Sequence, residues 1–363
     1  MYRYLYKVFL LILFTACQKN ELPPASNSGS LYFPPIGSST WETTTPESLG
    51  WNTTAIPALY NFLEGTNTRA FLVLKDGKIV LEAYFGKNLT GAFFNASSIW
   101  YWASAGKTLT AATVGIAQQE GYLQIDKPTS QYLGAGWSSL SPAQENQITV
   151  RHQLTMTSGL DDGVADPYCT LPSCLIFKAT PGTRWAYHNG PYTLLDKVVA
   201  NATHISFTNY FNSRLRDKIG MDGTWVPVDY NNVFYSTARS MARYGLLILN
   251  KGIWDGNPVI KDANYFTAMT NTSQTLNLSY GYLWWLNGKA SFMLPGLQLV
   301  VPGSITPQAP ADMVAAMGKN GQLLNVVPSH NLVVVRMGDD PDNSPVPYTY
   351  QKQIWEKLNA VIR

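Results

Sequence analysis

The feature that most constrains this chain is where its strand-type sequence lies. "RAFLVLKDGKIVLEAYFG", residues 69–86, holds two alternating apolar runs around Asp76-Gly77, a strong two-residue hairpin signal. Comparable runs return only near the other end, as "YGYLWWLN" (280–287), "DMVAAMG" (312–318), "QLLNVVP" (322–328) and "NLVVVRMG" (331–338). A lone hairpin is marginal in water, so the distant runs need each other. The economical solution is an α+β fold: one antiparallel sheet built from both termini and flanked by helices, with a mostly helical insertion.

The helices follow from 3.6-residue periodicity. "TAIPALYNFLEG" (54–65) reads as a short helix stopped by Gly65. "PYTLLDKVVANAT" (191–203), "STARSMARYGLLILNKG" (236–252) and the closing "YTYQKQIWEKLNAVIR" (348–363) read as helices too. We therefore expect a sheet lobe of about 48–120 and 270–363 and a helical lobe of about 121–269, with a site between them.

Charged residues make up only 13% of the 363, against 45% hydrophobic, with 11 Trp and 21 Tyr. This leads us to expect a large aromatic-lined cleft or an aromatic surface. A net charge of +3 with no Lys/Arg block gives no footprint for a nucleic-acid partner.

"MYRYLYKVFLLILFTACQKN" opens the chain with Arg3 and Lys7 before the short apolar run Val8–Phe14, too short to span a bilayer. It looks like a bacterial lipoprotein signal cleaved before Cys17, whose thiol and amine would then be acylated. The expectation is an exported, lipid-anchored protein on the periplasmic side or cell surface. Residues 18–47, rich in Pro, Ser, Thr and Gly, read as a flexible tether, with folded sequence from Ser48. Cys169 and Cys174 remain as a pair, and in an exported protein that spacing reads as a disulfide.

"WYWASAGKTLTAATVGIAQQEG" (100–121) carries the chemistry. Ser104 and Lys107 are one helical turn apart on one face, in an otherwise apolar helix start. A serine hydroxyl needs a base to become a nucleophile. A lysine can be that base only when neutral, which burial and the positive end of a helix both favour. It is the only S-x-x-K in the chain.

Tyr187-His188-Asn189 supplies a second element. On an extended segment Tyr187 and Asn189 face the same way. The phenol can move a proton if lysines stabilise phenolate, and the carboxamide can bond a substrate amide. Two other Y-x-N matches exist. Tyr210-Phe211-Asn212 lies in a helical stretch, while Tyr230-Asn231-Asn232 stays open as a rival. Lys319-Asn320-Gly321, after "DMVAAMG", supplies a third element of positive charge and a close-approach glycine. Lys75-Asp76-Gly77 is the hairpin turn. His152, His188, His204 and His330 show no metal spacing. Trp284 and Trp285 are candidates for an acyl pocket, one of them ordinary core.

Taken together, these motifs resemble the serine β-lactamase and penicillin-binding protein family. Within it the chain looks like the branch of class C-like β-lactamases, D-alanyl-D-alanine carboxypeptidases, esterases and 6-aminohexanoate-oligomer hydrolases. The resemblance covers about residues 48–360. "PGTRWAYHNGPYTLL" and "AAMGKNGQLLNVVPSHNLVVVRMG" strengthen it.

It implies that Ser104 is acylated, Lys107 is its proton partner, and Tyr187 serves the leaving group and the deacylating water. It implies that Lys319 and Asn189 hold the substrate, and that the N–H groups of Ser104 and Gln322 form the oxyanion hole. Asn320 stands where many class C β-lactamases have threonine, so the same hydroxyl is missing. The implied activity is therefore hydrolysis of short amides or esters, without cofactor or metal. D-Ala-D-Ala carboxypeptidase or β-lactamase activity ranks next. A peptide- or glycan-binding surface lipoprotein is the non-enzymatic alternative.

Overall fold

The computed structural model describes residues 31–344 and 346–362. Cys17, the expected signal and the first part of the expected tether lie outside the described residues.

The principal helices are α1 (Ile56–Gly65), α2 (Lys107–Gln119), α3 (Asn189–Thr203), α4 (Ala238–Leu249) and α5 (Tyr348–Ile362). The strands that position the site are β1 (Thr68–Lys75), β2 (Lys78–Tyr84), β3 (Trp100–Tyr101), β4 (Thr224–Val228) and β5 (Asn231–Ser236). They are joined by β6 (Trp285–Leu286), β7 (Val314–Gly318), β8 (Gln322–Val327) and β9 (Leu332–Gly338). The central sheet has the order β2-β1-β9-β8-β7-β6, antiparallel throughout. Strands from the two ends of the chain thus meet at the β1–β9 pair, with Leu72 opposite Val335.

The hairpin turns form where the residue types direct. Asp76 and Gly77 both have positive φ, as a two-residue turn matched to strand twist requires. At the same end of the sheet, Asn331 closes the β8–β9 turn and donates its amide to Asp76 Oδ1 at 2.8 Å. Helix α4 packs on the sheet, and the missing side chain of Gly245 lets its backbone approach Val333 and Leu324. Helices α1 and α5 pack together, with Phe62 stacked on Tyr350.

Helix α2 is buried from Lys107 to Ala117, so it is enclosed on all sides. No helix among the described residues is long and apolar enough to cross a membrane.

Three expectations are corrected. Residues 31–47 are part of the packed body, not tether. Trp41 is buried, and Tyr32 N–H donates to the Asp76 carbonyl at 3.0 Å. The Arg243 guanidinium bonds the carbonyls of Pro34, Pro35 and Ser38. Second, the middle, expected to be mostly helical, also contains the β4–β5 hairpin, and β3, β5 and β4 form a separate antiparallel sheet. Third, the aromatic residues mainly fill the interior: Trp102, Trp185, Trp284 and Trp355 are all fully buried.

Candidate active site

The strand pair β3–β5 delivers the nucleophile. Trp102 N–H bonds the Phe234 carbonyl at 2.8 Å, and its indole N–H bonds Ser236 Oγ at 2.7 Å. The chain then turns sharply, with Ala103 at φ 46°, a strained conformation for a residue with a Cβ. Ser104 follows in the 3₁₀ turn Ala103–Gly106 that runs directly into α2. The serine is therefore presented at a helix entrance, partly exposed, while Lys107 is buried.

Lys107 Nζ and Ser104 Oγ are hydrogen-bonded at 2.9 Å. The amine also lies 5.1 Å from the ring centre of Tyr187 and 4.3 Å from that of Tyr192. No carboxylate pairs with it among the described residues. Burial alone pushes the amine down to about 7. A large fraction of it is thus neutral near neutrality and able to accept the serine proton.

Tyr187 faces the same hydroxyl. Burial drives its phenol above the ordinary value, against a smaller downward pull from Ser104. The phenol is therefore the protonated form, not the phenolate that the sequence left open. Its ring stacks on Trp285 at 6.1 Å and 19°, and both meet Tyr280 edge-on. Next along the chain, Asn189 begins α3. Its side-chain carbonyl is buried with no hydrogen-bond partner among the described residues, an acceptor left for a ligand N–H. Between them, His188 turns into the interior, 1% exposed, and burial lowers it to about 4, so it is neutral.

A cavity of about 210 Å³ opens on these groups. Ser104, Tyr187, Asn189, Trp285, Gly318 and Lys319 line it, together with Tyr168, Pro295, Met317, Val346 and Pro347. The structure thus brings Ser104, Lys107, Tyr187, Asn189, Lys319 and Trp285 together. Trp284 instead stacks on Tyr244 in the core. The rival Tyr230-Asn231-Asn232 lies at the β4–β5 hairpin, where Asn232 bonds Asp196, and lines a different pocket.

The third element is shifted from its expected register. Asn320, Gly321 and Gln322 do not line the cavity. Asn320 donates to the Tyr101 hydroxyl at 2.9 Å. Gly321 has φ 73° and abuts the Arg336 guanidinium, which a Cβ would meet at 2.6 Å. Gln322 uses its carboxamide to pair with Gly338 N–H and C=O.

The glycine that approaches the nucleophile is Gly318. A Cβ there would lie 3.1 Å from Ser104 N and 2.9 Å from Ala105 N. Its backbone is extended (φ −128°), so space, not turn geometry, demands glycine.

Met313 C=O accepts from Asn287 N–H, so the backbone groups of odd-numbered residues of β7 point away from β8. Gln322 is laddered opposite Gly318.

Other contributors were not found from sequence. Tyr168 reaches the cavity from the loop stapled by the Cys169–Cys174 disulfide. Val346 and Pro347 arrive from the segment before α5. Arg336, fully buried, holds the 319–321 turn by donating to the Asn320 and Gly321 carbonyls at 2.6 and 3.1 Å. It also bonds Thr66 O, Asp339 O and Thr68 Oγ1. A lone arginine inside "NLVVVRMG" is the signal that could have flagged it. No group of three or more His, Cys, Asp or Glu among the described residues could hold a metal ion.

Residues 62–348 match the family model described as Beta-lactamase. The chain is 23% identical over 329 residues to 6-aminohexanoate-dimer hydrolase of Paenarthrobacter ureafaciens, covering 80% of this chain and 77% of that protein. A penicillin-binding protein homologue from Caulobacter crescentus superposes with a TM-score of 0.67 at 14% identity, over 85% of this chain and 96% of that one. A penicillin-binding protein from Bacillus halodurans gives 0.59 at 16% identity, over 83% and 98%.

Proposed function

The chain belongs to the Beta-lactamase family, and from that premise we propose that it is a serine hydrolase working through an acyl-enzyme on short amides or esters. The observation that carries this reading is the 2.9 Å contact between Ser104 Oγ and a buried amine lowered to about 7. A ligand-binding site has no need of a base on a hydroxyl; acyl transfer does.

Neutral Lys107 takes the Ser104 proton as Oγ bonds to the carbonyl carbon. The developing oxyanion is received by the N–H groups of Ser104 and Lys319, the latter in place of Gln322. Tyr187, protonated and beside the nucleophile, gives its proton to the departing amine or alkoxide and is reprotonated from Lys107. Asn189 accepts from a substrate N–H. Water then attacks the Ser104 ester, with Lys107 and Tyr187 returning the proton along the same route. The relative from Paenarthrobacter ureafaciens, named as a hydrolase of 6-aminohexanoate dimer, supports ranking linear amides and esters above β-lactams.

The test is intact mass after incubation with a panel of small esters, amides and penicillins, for wild type and Ser104→Ala. We expect an acyl adduct on the wild type only, with at least one ester or amide turned over. No adduct and no turnover with any member would sink the reading. Lipid attachment at Cys17 we propose from the sequence alone; metabolic labelling with a palmitate analogue, lost in Cys17→Ala, tests it.

A further inference from the structure

The reacting cavity is small, and what surrounds its mouth is unusually apolar. Three loop segments border it: Tyr168 enters from one, Pro295 from a second, and Val346 and Pro347 from the stretch before α5. The first, residues 167–177, reads "PYCTLPSCLIF"; the second, residues 293–300, reads "MLPGLQLV". Neither contains a charged residue. Both nevertheless expose large aliphatic or aromatic side chains: Leu171 and Phe177 at about half exposure, Leu297 at 50% and Leu299 at 62%. Single exposed apolar residues are ordinary, but concentration on two uncharged segments at one opening is not.

Both segments are also held in place. The Cys169–Cys174 disulfide closes the first, and Cys169 O packs on the α3 backbone at Gly190. The second is the tip of a two-stranded ribbon, Ser291–Phe292 with Val301–Pro302, and Gln298 Nε2 bonds the Trp185 carbonyl at 3.0 Å. These are positioned surfaces beside the nucleophile, with the solvent cost of exposed hydrocarbon left standing.

We propose that this collar receives an alkyl chain, so that the substrates of this site are esters or amides with an aliphatic chain longer than the cavity holds. The inference rests on the serine-hydrolase reading above. A cavity of 210 Å³ takes the scissile group and the first carbons. The remainder of the chain lies across Tyr168 and Leu171 on one side and Leu297 and Leu299 on the other. No acidic side chain lines the cavity, so an ammonium on the bound chain finds no partner there. Each methylene removed from water favours binding, and full burial corresponds to about a fourfold gain. On an open collar we expect about twofold per methylene.

The experiment measures kcat/KM for p-nitrophenyl acetate, butanoate, hexanoate and octanoate. It uses the full chain, below the critical micelle concentration of each ester. For wild type we expect the octanoate-to-acetate ratio to exceed about 30. In Leu297→Ser/Leu299→Ser, and separately in Leu171→Ser/Phe177→Ser, that ratio should fall about tenfold. Because the ratio is internal to each protein, partial loss of folded enzyme does not imitate the result. A flat or falling ratio in wild type that turns over the acetate, with Ser104 acylated, would overturn the collar and leave the hydrolase intact. A steep ratio kept by both variants would also overturn it. No turnover of any ester and no adduct on Ser104 would remove the hydrolase reading and this one with it.

Discussion

Lys107 Nζ sits 2.9 Å from Ser104 Oγ with two tyrosine rings around it and, among the described residues, no carboxylate partner. Its lowered pKa is the product of burial alone, and the site's behaviour with pH follows directly. Below about pH 7 the amine is charged and cannot accept the serine proton. We expect kcat/KM to rise about tenfold per pH unit on the acid side and level off above about pH 7. Tyr187 is held protonated well past this range, so no alkaline limb should come from it below pH 10. Tyr187→Phe should lower kcat about 10²–10³-fold, change KM little and keep the acid limb; pH-rate profiles of both proteins check this.

The same amine is a liability for the fold. The unfolded chain, with its lysine near 10.5, binds one more proton than the native state between about pH 7 and 10.5. Stability contributed by this position therefore rises with pH across that window and is lost as pH falls through it. Lys107→Met should flatten that dependence and raise Tm at pH 7. The ceiling on the gain is roughly 5 kcal/mol, at 1.36 kcal/mol per pKa unit. Turnover should disappear in the same variant, and thermal melts at pH 6, 7.5 and 9 alongside assays separate the two effects.

The two glycines near the third element should fail differently. Gly318→Ala places a methyl between β7 and the Ser104 turn, and should cost about 10²–10³ in kcat through the oxyanion site. Gly321→Ala presses on Arg336 and imposes φ 73° on alanine. It should lower stability by roughly 1–3 kcal/mol, with a much smaller loss of kcat. Were Gln322 N–H the oxyanion donor, the ranking on kcat would reverse.

Removing the Cys169–Cys174 staple tests the wall it supports. Cys169→Ser/Cys174→Ser should lose about 2 kcal/mol of stability, as expected for a short closed loop. Tyr168 is the neighbour of Cys169, so KM should rise several-fold while kcat on a good ester stays within a few-fold. Denaturant titration and steady-state kinetics on the purified protein provide both numbers.

What the sequence makes legible here is local. Ser104 and Lys107 are one turn apart whatever surrounds them, and Asp76-Gly77 closes a hairpin on backbone preference alone. The register of the third element is a tertiary property. Lys319-Asn320-Gly321 has the right residue types, yet the glycine touching the nucleophile is Gly318, and only the packing of β7 against the Ser104 turn reveals it. Residues 31–47 read as tether because proline, serine and glycine bury little of themselves. Their order comes from Arg243, some 200 positions away, which binds three of their carbonyls. The β4–β5 hairpin was hidden for a similar reason: Pro227 argues against a strand unless it lies on an edge, and β4 is an edge strand.

The neighbouring placement of β1 and β9 has a consequence for biogenesis. As the polypeptide emerges from its amino end, β1 and β2 can form only a two-stranded ribbon, with one sticky flank awaiting a partner more than 250 positions downstream. The sheet cannot be completed until residue 338 has been synthesised. Such late long-distance pairing is slow and leaves a nascent intermediate open to aggregation, a period in which a chaperone would protect it.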